Sequence, residues 1–118
     1  TIRQSNAAVT NQVSFVRGLN DDHVEAEFTS VILTSNVPNS FGAIFIGLDS
    51  ITAAAAGSER GLLLTTSVLI LRSVAVARYA GLPGLGKHYI ASLEQSDGTN
   101  NATFYGADDS LLTVRLTA

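Results

Sequence analysis

Cysteine, methionine and tryptophan are absent from this 118-residue chain, and proline occurs only twice. The missing cysteines exclude a disulfide framework, a thiolate zinc site and a cysteine nucleophile. Charge is sparse as well: 14% of residues are charged, seven basic against ten acidic, for a net charge of −3. Six of the seven basic residues are Arg, with Lys87 the exception. That balance argues against a nucleic-acid surface driven by phosphate contacts. Long apolar runs are also missing. The greasiest stretch, Gly61 to Ala80, is broken by Thr65, Thr66, Ser67, Arg72, Ser73 and Arg78. Two arginines in the second half of a span would be costly in lipid. Buried strands are expected there, with no membrane partner. Residues 1–6 lack the charged and apolar regions of a signal peptide, so none is expected. The chain begins without Met, which fits either processing or a piece of something longer.

What is present is apolar and alternating. Hydrophobic residues make up 46% of the chain, a globular composition of a length that suits one domain. Residues 1–12 are polar and read as an N-terminal arm, leaving 13–118 as a single domain. Val13 to Arg17 is a short apolar run. From Val24 the chain alternates, with Val24, Ala26 and Phe28 on one side and Glu25, Glu27 and Thr29 on the other, the period of a half-buried strand. Val31-Ile32-Leu33 extends this into a stretch buried on two sides. Phe41 to Leu48 is a compact apolar strand after the turn at Asn36–Ser40. The four alanines within Ser50–Gly57 fit one helical turn or a strand of small residues. Leu62–Ser73, Val74–Ala80, Lys87–Ser96, Ala102–Tyr105 and Leu111–Thr117 complete the set, with Leu112, Val114 and Leu116 on one face. About eight short strands separated by regular turn signals predict an all-β, antiparallel two-sheet sandwich or barrel, and a jelly roll in particular.

Candidate chemical motifs are thin. Gly81-Leu-Pro-Gly-Leu-Gly86-Lys87 approaches a phosphate loop, but His88 stands where Ser or Thr is needed. The segment after it alternates as a strand, whereas a phosphate site needs a helix N-terminus. Asp21-Asp22-His23, Asp97–Asn101 and Asp108-Asp109 offer oxygens to a calcium ion, yet they equally read as solvated turn residues. Glu25 and Glu27 share a strand face, a spacing open to glycosidic acid/base work, although an exposed acidic face explains them as well. His23 and His88 are the only histidines, and no G-x-S-x-G elbow exists. Asn101-Ala102-Thr103 is a glycosylation sequon. Tyr79, Tyr89 and Tyr105 could stack on sugar rings or pack in the sheets. No catalytic residue, cofactor or metal is expected, and an enzyme ranks last among the readings.

The C-terminal third carries a pattern of its own. A Gly81-Leu82-Pro83-Gly84 loop precedes His88-Tyr89-Ile90. Asp97-Gly98-Thr99, Ala102-Thr103-Phe104-Tyr105-Gly106 and Leu111-Leu112-Thr113-Val114-Arg115-Leu116 follow. This resembles the closing strands of tumour necrosis factor-like and complement-type jelly rolls. It is similar in particular to versions at the ends of bacteriophage fibres and on bacterial collagen-like surface proteins. The resemblance implies a homotrimer around a three-fold axis, with an attachment or structural role on a virion as capsid decoration, head fibre or fibre tip. Strands apolar on both faces point the same way, because a two-layer domain has only two inner faces and a neighbouring subunit can supply a third cover. Phe41, Ile44, Phe45, Leu63, Leu69, Leu71 and Tyr105 are the expected interface residues. Residues 1–12 would tether the knob to other virion or surface proteins, and a host-surface glycan is a further candidate partner. The competing reading is a secreted surface adhesion domain. It would be a carbohydrate-binding module, or a filament subunit whose residues 1–17 complete a neighbour's sheet.

Overall fold

In a computed structural model, β3 (Val24–Leu33) follows the alternation of its sequence: Val24, Ala26, Phe28, Ser30 and Ile32 point inward and are buried. The structure describes residues 2–4, 12–17, 24–34, 40–56, 58–64, 72–81, 86–96, 102–104 and 110–116. The other strands are β1 (Arg3–Gln4), β2 (Gln12–Arg17), β4 (Phe41–Leu48), β5 (Gly61–Leu64), β6 (Arg72–Gly81), β7 (Gly86–Ser96), β8 (Thr103–Phe104) and β9 (Ser110–Leu116). Among the described residues there is no helix, and none long and apolar enough to cross a membrane.

The strands form two antiparallel sheets. The five-stranded sheet runs β1-β7-β4-β5, with β2 on the same edge of β7 as β1. The four-stranded sheet runs β6-β3, with β8 and β9 sharing the far edge of β3. Phe15, Ile44, Ile46 and Ile90 from the first sheet meet Val24, Phe28, Ile32, Ala77 and Tyr79 from the second in one buried cluster. Apart from Ala77 these are β-branched and aromatic side chains that fill a pleated surface well, and their burial supplies the main driving force for closure. Ser30 interrupts the apolar row, and its Oγ has no hydrogen-bond partner among the described residues.

Strand β4 is buried on both faces. Its even positions, among them Ile44 and Ile46, face the other sheet. Its odd positions face outward, yet Ala43 and Phe45 join Ala91 and Leu93 in a second buried cluster, flanked by Ile2, Phe41 and Tyr89 of the same chain. The segment after β4 completes the cover. A Cβ on Gly47 would strike the Ser50 carbonyl, so that position has room only for glycine. Ser50 Oγ accepts from the Thr52 and Ala53 N–H groups at 3.2 and 3.0 Å, and the Ala55 N–H returns to the Ile46 carbonyl at 2.8 Å. The alanine tract is therefore irregular, neither the helical turn nor the strand its composition allows. The two-sided apolar character of β4 is satisfied largely within one chain.

A single stretch joins the two sheets along one side. Glu59 exchanges both backbone hydrogen bonds with Arg78 of β6, at 2.7 and 3.0 Å. Two residues later the same chain has become β5 and pairs with β4. The crossing brings Gly61 against the backbone of Val76, where an added Cβ would lie 2.7 Å from the Val76 carbonyl oxygen and 2.8 Å from its nitrogen. Neither backbone can yield without parting the ladder. Gly61→Ala should therefore lower the unfolding free energy by about 2–4 kcal/mol in urea titration. Ser30→Ala removes a buried hydroxyl with nothing to bond, and should leave stability unchanged or raise it by up to about 1 kcal/mol.

Candidate functional site

The outward side of the five-stranded sheet holds the residues expected at a subunit contact. Phe41 is half-buried there, and Phe45 lies in the outward cluster with little surface left. Ile44 is enclosed between the sheets and has no surface to offer a partner. Leu63 also points inward, packed on the core. Its neighbours take the outward positions instead: Leu64 pairs with Phe41 and Leu62 with Ala43, and both leucines are exposed, at 41% and 45%. Three consecutive leucines carry no alternation, so sequence cannot tell which of them faces out. Leu69, Leu71 and Tyr105 lie outside the described residues. The apolar edge that the structure displays is thus Leu62 and Leu64 on the outermost strand β5, with Phe41 of β4 beside them.

A polar cluster closes one end of the sandwich. Asp49 follows β4 with a φ of 55°, in the left-handed region that Asp tolerates better than most residues. That turn aims its carboxylate at the start of β7. Oδ1 accepts the Tyr89 N–H at 2.9 Å, and Oδ2 lies 2.6 Å from His88 Nδ1. A carboxylate can only accept, which makes Nδ1 the donor. The Asp49 N–H in turn donates to the Tyr89 carbonyl at 3.0 Å. His88 stacks at a tilt of 34° on Phe15 of β2, with ring centres 5.8 Å apart. Nothing in the local sequence marks this pair, because 39 residues separate its members. Burial first, then the Asp49 charge, raise the Tyr79 hydroxyl above the ordinary tyrosine value of 10.0. Tyr79 is buried and so cannot stack on a sugar, whereas Tyr89 is half-buried.

The outward side of the four-stranded sheet is divided along its length. At one end lie Glu25, Glu27, Arg78, Thr113 and Arg115, which with Glu59 line a shallow concavity of about 480 Å³. Glu27 is ion-paired to Arg78 Nε at 3.1 Å, so the two glutamates stand on an exposed strand surface rather than in an enclosed acid/base pocket. At the other end the face is largely apolar, with the exposed Arg72 beside Leu33 at its limit. Val74 is 62% exposed and Leu111 63%, with Val31, Leu33 and Val76 beside them. The Val31-Ile32-Leu33 stretch that reads as buried on both sides is thus half open to solvent on its outward positions.

Among the described residues no group of three or more His, Asp or Glu side chains could hold a metal ion. Asp21-Asp22-His23, Asp97–Asn101 and Asp108-Asp109 lie outside them, as does most of the Gly81–Gly86 loop. Comparison with protein-family models, with curated proteins and with solved structures finds no match to this chain.

Two outcomes test the cluster at the sandwich end. Asp49→Ala removes the acceptor for His88 and Tyr89, and should lower stability by about 1 kcal/mol given the partial exposure of the carboxylate. Tyr79 keeps its proton in the folded chain to a higher pH than in the unfolded one. Stability should therefore fall as pH climbs above about 10, where only the unfolded chain ionises. Tyr79→Phe should flatten that alkaline slope in pH-dependent urea melts.

Proposed function

We propose that this domain is a non-enzymatic jelly-roll knob that trimerises and serves as a virion structural protein, as capsid decoration, head fibre or fibre tip. The observation that carries the reading is the nesting of its strand pairs. β4 pairs with β5, β3 with β6, and β2 with β7, each pair enclosing the previous one in sequence. Nesting of this kind supports one long hairpin wound into two sheets, the construction of a jelly roll. The pairs β4–β7 and β3–β9 close the two sheets of the roll. An outermost β1–β9 pair would finish the series; here β1 lies on β7 instead.

The apolar edge supports the three-fold contact. Leu62 and Leu64, on the outermost strand, expose their side chains beside Phe41, where a neighbour can bury them. The pairing of Arg3–Gln4 and Gln12–Arg17 with β7 of the same chain favours a self-contained knob over a filament subunit that borrows a neighbour's strand. A purpose in stabilisation or host attachment follows from the resemblance of the last third of the chain. Multi-angle light scattering at micromolar concentration should return three chain masses. The double variant Leu62→Asp/Leu64→Asp should return one, with an unchanged far-ultraviolet circular dichroism spectrum. A wild-type monomer would overturn the trimeric knob.

A further inference from the structure

The outward side of the four-stranded sheet carries a second, independent pattern. Its outward positions form level rows across β6 and β3: Val74 beside Val31, Val76 beside Thr29, and Arg78 beside Glu27. Beyond β6, Glu59 alone adds one position level with Arg78. Beyond β3, Thr113 of β9 stands level with Glu27, and Arg115 one row further on. Three columns therefore lie side by side, with the single residue Glu59 at one margin and Arg115 near the other.

We propose that this face binds a second copy of the same chain through a two-fold axis running along the strands between β3 and β6. Such an axis preserves each row and exchanges the columns. Val31 of one copy then lies over Val74 of the other, and Thr29 over Val76. Glu27 lies over the second copy's Arg78, and the existing Glu27–Arg78 pair becomes a closed ring of four alternating charges. Glu59 at one margin meets the Thr113 and Arg115 margin opposite. Between the end rows, where Arg72 meets Leu33 and Glu25 meets Ala80, the face is complementary to itself in both apolar contact and charge, as an isologous interface requires.

The dimensions are those of a small interface. Three strand columns of up to ten residues span about 33 by 14 Å, and with the single Glu59 position beyond β6 two such faces meet over about 980 Å² in plan. A specific interface needs about 1,000 Å². Aligned sheets cross at about 30°, which at the charged row displaces one copy by less than a strand spacing. The contact uses the opposite side of the molecule from Phe41, Leu62 and Leu64, so it neither needs nor disturbs a three-fold assembly. If both form, each trimer carries three such faces and the contact links trimers into larger assemblies.

The test uses charge reversal on the full chain. Light scattering over a concentration series should show the wild-type mass rising from its basal unit, to two chains where that unit is one chain and to six or more where it is three. Glu27→Arg alone and Arg78→Glu alone place like charges across the axis, and each should weaken this association at least about tenfold. Mixed in equal amounts, the two variants place arginines on one copy against glutamates on the other. The associated species should then return, and native mass spectrometry should identify it as the mixed assembly. Both substitutions are on exposed side chains, and circular dichroism checks that each variant is folded. Absence of the mass rise in the wild type overturns the proposal. So does the same rise in either single variant at the wild-type concentration, or a mixture that fails to recover it. The basal mass reports separately on the trimer.

Discussion

Strand β4 is apolar on both faces, and the rest of the architecture is arranged around covering it. Its inward side chains require the other sheet. Its outward ones require something else, and the chain supplies that by folding Ser50–Ala53 back over Gly47 and by setting Leu93 and Tyr89 alongside. An exposed β4 would have left Phe45, Ala43 and their β7 neighbours in water, at a cost of about 25 cal/mol for each Å². Glycine at position 47 follows from the same requirement, since the covering backbone passes where a side chain would stand.

Much of the layout was legible in the residues. Period-two alternation marked β3 with both its boundaries, and the compact run Phe41–Leu48 marked β4 likewise, because burial on one or both faces writes itself directly into strand composition. Less legible was which surface does the burying. An apolar outward face reads identically whether a loop or a neighbour covers it, so Phe45 and Ile44 drew attention as contact residues while the chain itself encloses them. The Leu62-Leu63-Leu64 triplet hid its parity for want of a polar partner. The boundary before β6 was placed at Val74, although pairing extends to Arg72, because Arg72 and Ser73 read as the end of the apolar stretch that starts at Leu62, whereas β5 ends at Leu64.

The Asp49–His88 contact was illegible for another reason. It depends on β4 and β7 being neighbours, a fact of topology that no local pattern encodes. A sequence signal exists only in retrospect: an acidic residue directly after a fully buried strand, where a left-handed turn can aim its carboxylate back at the sheet. The charged rows of the four-stranded sheet lie between these cases. Glu25 and Glu27 were readable as one outward face, but their relation to Arg78 and Arg115 required the register of three strands.

The stretch from Glu59 to Leu64 belongs to both layers in turn, bonding first to β6 and then to β4. It acts as a spine binding the two layers along one long side. Among the described residues no strand spans the opposite side, where β1 and β2 end one layer and β8 and β9 the other. A sandwich sewn on one side opens as a book does, from the unsewn margin. Amides of β2 and β9 belong to the pages that part first, and those of β4 and β6 stay closed until the whole fold gives way.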